Sequence, residues 1–283
     1  MRHTTFAAAV LTAVMSTLLP SAGVAFDRVL ERDAFEGAVG DRPLSFLASD
    51  LADGSRCTLS GSDFETRHAP WSTFKMPNLL IALETGAADG LGAARDWDRE
   101  RHPARDWWPA GWAKDHTLES AFRVSAVWYF RDLARDIGTE AYRARLVDWG
   151  YGNAGVPEGA DDFWLANGLE ISVVEQVRFL ERLLQGELGV SAPSVAALAQ
   201  ASLEWEGDGL SLHGKTGGGT LVPGDFSAGF EGWYVGWVAR EAGDPAVFAL
   251  YTRADSFAEI RVFRKEMAVT LLEACGLLPE GAG

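Results

Sequence analysis

Residues 71–78 read WSTFKMPN, and the chain changes character there. Before this stretch, PLSFLASD (43–50), SRCTLS (55–60) and SDFETR (62–67) are short runs divided by Asp-Gly and Gly-Ser, which predicts antiparallel strands. From Ser72 a helix is expected to run to about Glu84, before the glycine-rich GAADGLG. Helical periodicity returns in LESAFRVSAVWYFRDLARDIG, TEAYRARLVDW, SVVEQVRFLERLLQG and APSVAALAQAS, with Leu and Val at three- and four-residue spacings. Between them, residues 95–116 read as loop, with Trp97, Trp107, Trp108 and Trp112 among prolines and charges. Beyond residue 202, LSLHGKT, GWYVGWVAR and AVFALYTR are strand-like, with turns expected at GGGTLVPG and EAGDP; SFAEIRVFRKEMAVTLLEACG closes as an amphipathic helix. Strands at both ends with helices between them predict an α+β fold. One antiparallel sheet is assembled from both chain ends, flanked by terminal helices, with an inserted all-helical lobe. The expected division is a single domain over 26–283, its sheet lobe about 26–70 and 203–283 and its helical lobe about 71–202. The cleft where they meet is the default site.

The 283 residues, 47% hydrophobic, are enough for a full core. The start reads as an export signal: MRHTT is basic, FAAAVLTAVMSTLL is apolar, and SAGVA ends in small residues, so residues 1–25 are expected to be cleaved. The apolar run is shorter than the ~20 residues a membrane span needs. A secreted, periplasmic protein with no membrane attachment after cleavage is the expectation. A formal charge of −15 argues against nucleic acid and anionic membranes as partners. With two cysteines and no His-x-x-x-His pattern, no metal site is expected. Cys57 and Cys275 could pair or remain separate thiols, and sequence leaves both open. His213 is read as a strand-face residue rather than a catalyst.

Lysine is rationed here. Only Lys75, Lys114, Lys215 and Lys265 occur, against 21 arginines. Two of the four sit in motif-like settings. Ser72 and Lys75 lie at i and i+3 of a helix start, so they share a face. Serine needs a nearby base to become a nucleophile. A lysine among Trp71, Phe74 and other apolar groups would be favoured in its neutral form. Lys215-Thr216-Gly217 stands at an expected strand end before further glycines, a setting for an anionic carboxylate. Ser125-Ala-Val127 lies in a helical region, and Tyr151-Gly-Asn153 in a turn. Each pattern alone has an ordinary structural explanation, such as a cap, a solvated edge or a turn.

In that order, S-x-x-K, S-x-V, Y-G-N and K-T-G together resemble the class D (oxacillinase-type) serine β-lactamases. Trp233-Tyr-Val-Gly-Trp237 matches a further W-x-x-G-W element, and Phe163–Ser172 resembles the loop that carries a tryptophan over the lysine. Penicillin-binding proteins and class A enzymes place Asn or a similar polar residue where Val127 stands.

The resemblance implies a penicillin-type β-lactam substrate and the serine β-lactamase fold. It implies Ser72 as nucleophile and Lys75, N-carboxylated by carbon dioxide, as base; no other cofactor is called for. Ser125 would relay a proton to the lactam nitrogen beside Lys215. Trp164 would hold the carbamate, and the N–H groups of Ser72 and Gly218 would form the oxyanion hole. Thr216, Gly217 and an arginine of the last helix would receive the substrate carboxylate, with Arg264 fitting that position better than Arg261. Val127 would keep the lysine dry, and Tyr151 and Asn153 would form walls. Gly218-Gly219 departs from the bulkier residue usual after K-T-G and leaves substrate range open. A monomer or a homodimer is expected. A β-lactam sensor and a DD-peptidase share these motifs and remain the alternatives; the absence of a further domain or span beyond the leader counts against the sensor, and Val127 against the peptidase.

Overall fold

In the computed structural model, residues 27–281 are described; the expected leader lies outside them. Seven strands form one sheet: β1 (Arg28–Leu30), β2 (Leu44–Asp50), β3 (Arg56–Leu59), β6 (Leu203–Gly207), β7 (Leu210–Val222), β8 (Asp225–Arg240) and β9 (Ala246–Ala254). Their order is β1-β3-β2-β9-β8-β7-β6, so both chain ends meet where β2 pairs antiparallel with β9. Only β1 against β3 is parallel.

The helices are α1 (Glu36–Val39), α2 (Lys75–Glu84), α3 (Leu118–Val124), α4 (Val127–Ile137), α5 (Thr139–Trp149), α6 (Val173–Leu184), α7 (Ala192–Ser202) and α8 (Phe257–Cys275). β2 alternates not between core and water but between two cores. Leu44, Phe46 and Ala48 pack with Met267, Leu271 and Leu272 of α8, whereas Leu47 joins Val177 and Leu180 of α6. Covered on both faces, β2 is buried from Leu44 to Ser49. α2 is buried from Lys75 to Ala82 and forms the axis of the helical block. Two-residue strands, β4 (Ala94–Arg95) and β5 (His116–Thr117), pair at the base of the tryptophan loop.

Three local expectations are corrected. SDFETR forms no strand. The Asp63 carboxylate accepts from Glu65 N at 3.1 Å, Thr66 N at 3.0 Å and Thr66 Oγ1 at 2.5 Å, and such local bonds compete with a ladder. GGGTLVPG turns only at its end, where Pro223 and Gly224 join β7 to β8; β7 stays paired with β8 through Gly217, Gly218 and Gly219 to Thr220, so K-T-G lies mid-strand. Gly217 and Gly219 mark a close approach of the segment before α2 rather than a reversal. The helical run 118–138 breaks at Ser125, which adopts φ +60° between α3 and α4.

Cys57 and Cys275 form a disulfide that ties β3 to the end of α8. His213 lies on a strand face, stacked on Trp237 and bonded to Ala199 O and Ser211 Oγ. Among the described residues no helix is long and apolar enough to cross a membrane.

Candidate active site

Ser72 lies in a 3-10 turn, Trp71–Phe74, that leads directly into α2. Lys75 is the first residue of α2, so one turn separates the two side chains, and Lys75 Nζ lies 2.9 Å from Ser72 Oγ. Lys75 is completely buried, and burial, with Lys215 second, pushes its amine well below the ordinary lysine range. Its Nζ stands 5.2 Å from the centre of the Phe130 ring. Phe74 stacks on Trp164, centroids 5.4 Å apart. Val127 and Leu165 are half-buried against the same apolar core.

The indole N–H of Trp164 is buried and has no hydrogen-bond partner. Such a donor costs about 1–3 kcal/mol, and buried polar groups are otherwise nearly always paired. Three elements hold this residue's loop. Trp164 O accepts from Trp71 N at 3.1 Å, and Ile171 exchanges both backbone bonds with His68. Asn153 clamps the loop's far side: its Nδ2 donates to Gly168 O at 2.8 Å, and its Oδ1 accepts from Glu170 N and Gly155 N, both at 2.9 Å. Asn153 is therefore a brace and not a wall of the cleft. Tyr151 is no wall either; it is fully buried, edge-on to Phe74 and Phe179. Gly152 of Y-G-N is demanded by its φ of +55° and by Glu170 O, which a Cβ would approach to 2.0 Å.

Opposite Lys75, the break between α3 and α4 presents Ser125. Its left-handed backbone is sparsely populated for a non-glycine residue, and Trp112 supports it by donating to Val124 O at 2.8 Å. Lys215 Nζ donates to Ser125 Oγ at 2.5 Å and to Thr216 O at 3.1 Å. Burial first, then Arg264, brings the Lys215 pKa down to about 7. Both of its protonation states are thus accessible near neutrality.

β7 completes the arrangement. A Cβ on Gly217 would meet Pro70 O at 2.7 Å and Ser72 N at 3.1 Å, so only glycine lets this strand pass the Ser72 backbone. Gly218 faces the other way, towards Arg264 and Phe257 of α8. Arg264 is buried and donates from Nη1 to Gly217 O at 2.5 Å, whereas Arg261 is exposed. The helix phase thus puts Arg264 rather than Arg261 behind Thr216 and Gly217. Burial, then Arg261, lowers the Arg264 pKa to about 10, and the side chain stays cationic. A cavity lined by Phe122, Arg123, Glu204, Lys215, Thr216 and Lys265 opens at this edge.

The structure thus gathers Ser72, Lys75, Ser125, Lys215, Thr216, Gly217, Gly218 and Arg264 around one junction, with Trp164 behind Phe74. A buried amine on a serine, a second serine on a titratable lysine and a cationic strand edge suit attack on an acyl group that carries an anion. Sequence reading missed Glu231, whose contact with Trp71 spans 160 positions and leaves no local signature.

Residues 45–262 match the penicillin-binding protein transpeptidase domain. The probable β-lactamase YbxI of Bacillus subtilis is 33% identical over 83% of this chain and 81% of its own length. A class D β-lactamase structure from Bacillus subtilis superposes with a TM-score of 0.74 at 34% identity, covering 87% of this chain and 96% of that one. This chain belongs to the class D β-lactamases. As a member, it is a serine β-lactamase with the transpeptidase-like α+β fold. The family's neighbourhood also includes the C-terminal domain of the Bacillus licheniformis BlaR penicillin-receptor, with a TM-score of 0.78 and 25% identity over 93% of this chain and all of that one.

Proposed function

We propose that this class D enzyme hydrolyses penicillin-type β-lactams through an ester on Ser72, with Lys75 as the site of the general base. One observation carries the reading: the Ser72 hydroxyl lies 2.9 Å from a lysine amine whose neutral form is favoured by burial. Ser72 Oγ bonds to the lactam carbonyl carbon as its proton is withdrawn towards Lys75. The ring C–N bond breaks, and the nitrogen takes a proton through Ser125, which Lys215 can resupply. Water then cleaves the ester. Backbone N–H groups of Ser72 and Gly218 stabilise the oxyanion, and Thr216 with Arg264 binds the substrate carboxylate.

Only a neutral amine adds carbon dioxide, and Lys75 fits that requirement. The resulting carbamate, formed with loss of one proton, would supply an oxygen base for both halves of the reaction. The unpartnered Trp164 N–H is the donor suited to hold it. The start of the sequence supports export through removal of residues 1–25, with the mature domain acting outside the cytoplasm, as a monomer or homodimer, in β-lactam resistance.

Ser72→Ala is expected to lower turnover by at least about a thousandfold and to leave no mass adduct with penicillin. Wild-type turnover in Ser72→Ala would refute the assignment. The likeness to the BlaR penicillin-receptor domain favours a second reading, a sensor that is acylated and holds the ester. Stoichiometric acylation without turnover would select it.

A further inference from the structure

Glu231 is a buried carboxylate that the chemistry above does not use. It lies on β8 opposite Gly219 of β7 and Arg253 of β9, and it is 6% exposed. A carboxylate in such a place is costly unless hydrogen bonds satisfy it. Trp71 Nε1 donates to Oε1 at 2.7 Å, and Tyr251 O–H donates to Oε2 at 2.8 Å. Tyr251 Oη accepts in turn from Arg253 Nε at 2.7 Å, and its ring stacks on His68. His68 Nδ1 is 3.7 Å from Oε2, but burial, then Arg253, brings its pKa down to about 4, so at neutral pH it lends no charge.

Trp71 immediately precedes the nucleophile. Its φ of +51° belongs to a region sparsely populated by non-glycine residues, and such conformations persist only where their surroundings over-determine them. Trp71 is held from three sides. Glu231 takes its indole N–H, Trp164 O takes its backbone N–H, and its ring lies against Gly219, where a Cβ would come within 2.3 Å. Gly217, on the same face two residues earlier, lies against the backbone of Pro70 and Ser72, where a Cβ would come within 2.7 Å and 3.1 Å. The indole and the Ser72 amide therefore lie side by side along one face of β7.

We propose that Glu231 is a positioning residue. Through its bond to Trp71 it sets the Ser72 backbone against Gly217–Gly219, while the Trp71 ring fills the strand edge that Gly219 leaves bare. The inference rests on the assignment of Ser72 as nucleophile.

The test is steady-state hydrolysis of a chromogenic cephalosporin by Glu231→Val, Trp71→Phe, their double variant, Gly219→Ala and Glu231→Gln, each with its melting curve. Glu231→Val and Trp71→Phe are expected to lower kcat about 10- to 100-fold with KM within about threefold. The double variant should lose no more than the worse single one, because both remove the same bond. Gly219→Ala, which displaces the ring without touching Glu231, should show a similar loss. Glu231→Gln, which keeps an acceptor for the indole, should retain most of the activity. Wild-type kcat in a folded Glu231→Val or Trp71→Phe, or losses that multiply in the double variant, would overturn the proposal. Should Glu231→Val fail to fold, Trp71→Phe and Gly219→Ala decide alone: loss in both supports it, and wild-type kcat in either overturns it. A wild-type chain inert towards every β-lactam would instead refute the proposed function and remove the basis of this one.

Discussion

At Lys215 the needs of the fold and of the chemistry conflict. Buried beside Ser125 and Arg264, its amine has a pKa near 7 in place of the ordinary 10.5. Below about pH 7 the ammonium is present in both folded and unfolded chains, and the fold bears the full cost of burying it. Between about pH 7 and 10.5 the unfolded chain holds a proton that the folded chain has shed, so this residue's contribution to stability improves as pH rises through that window. Lys215→Met should therefore melt higher than wild type at about pH 6.5, with the difference shrinking towards pH 10, while hydrolysis falls by about a hundredfold or more. Calorimetry across pH measures the first effect and steady-state kinetics the second. A variant that melts lower at about pH 6.5 would mean that Lys215 is not buried as described. The sequence signalled this residue clearly, because lysine is rare here and K-T-G is a compact motif. It could not signal Glu231, whose role depends on a tryptophan 160 positions away.

At the scale of elements, the legible features were those with a short period or a short span. Helices α2 to α8 and three of the C-terminal strands were readable, whereas the single turn of α1 was not. GGG misled because glycine in a strand and glycine in a turn look alike, and only the packed segment before α2 distinguishes them. SDFETR misled because its alternation is genuine, yet Asp63 satisfies the local backbone by itself. Y-G-N was read as ordinary turn chemistry beside the cleft, whereas its asparagine braces the loop that carries Trp164. Asn153→Ala removes three side-chain bonds, worth about 1–2 kcal/mol in total for exposed groups. The variant is expected to need several-fold more bicarbonate for half-maximal activity, with little change in kcat at saturation. A bicarbonate titration checks this, and an unchanged midpoint would show that the clamp does not position Trp164.

For the whole molecule, the sheet closes from both ends of the chain, as the distribution of strands implied. The disulfide lies on the remote side of that sheet, with β2, β9 and β8 between β3 and β7. Sequence left its pairing open because the contact depends on how α8 packs across the sheet. Replacing Cys57 and Cys275 together by Ser frees a link of 218 residues and should cost about 2–5 kcal/mol of stability. Turnover at 25 °C should be unchanged. A thermal melt beside an activity assay separates the two, and lost activity in the folded variant would show coupling across the sheet.

The central claim is a buried, carbon dioxide-dependent base beside Ser72. Its most direct test is penicillin hydrolysis by the purified chain without residues 1–25 after carbon dioxide depletion, with and without added bicarbonate, with intact mass recorded in parallel. The predicted result is sustained turnover that falls on depletion and returns with bicarbonate. Turnover indifferent to bicarbonate, or a stable adduct without turnover, would contradict it.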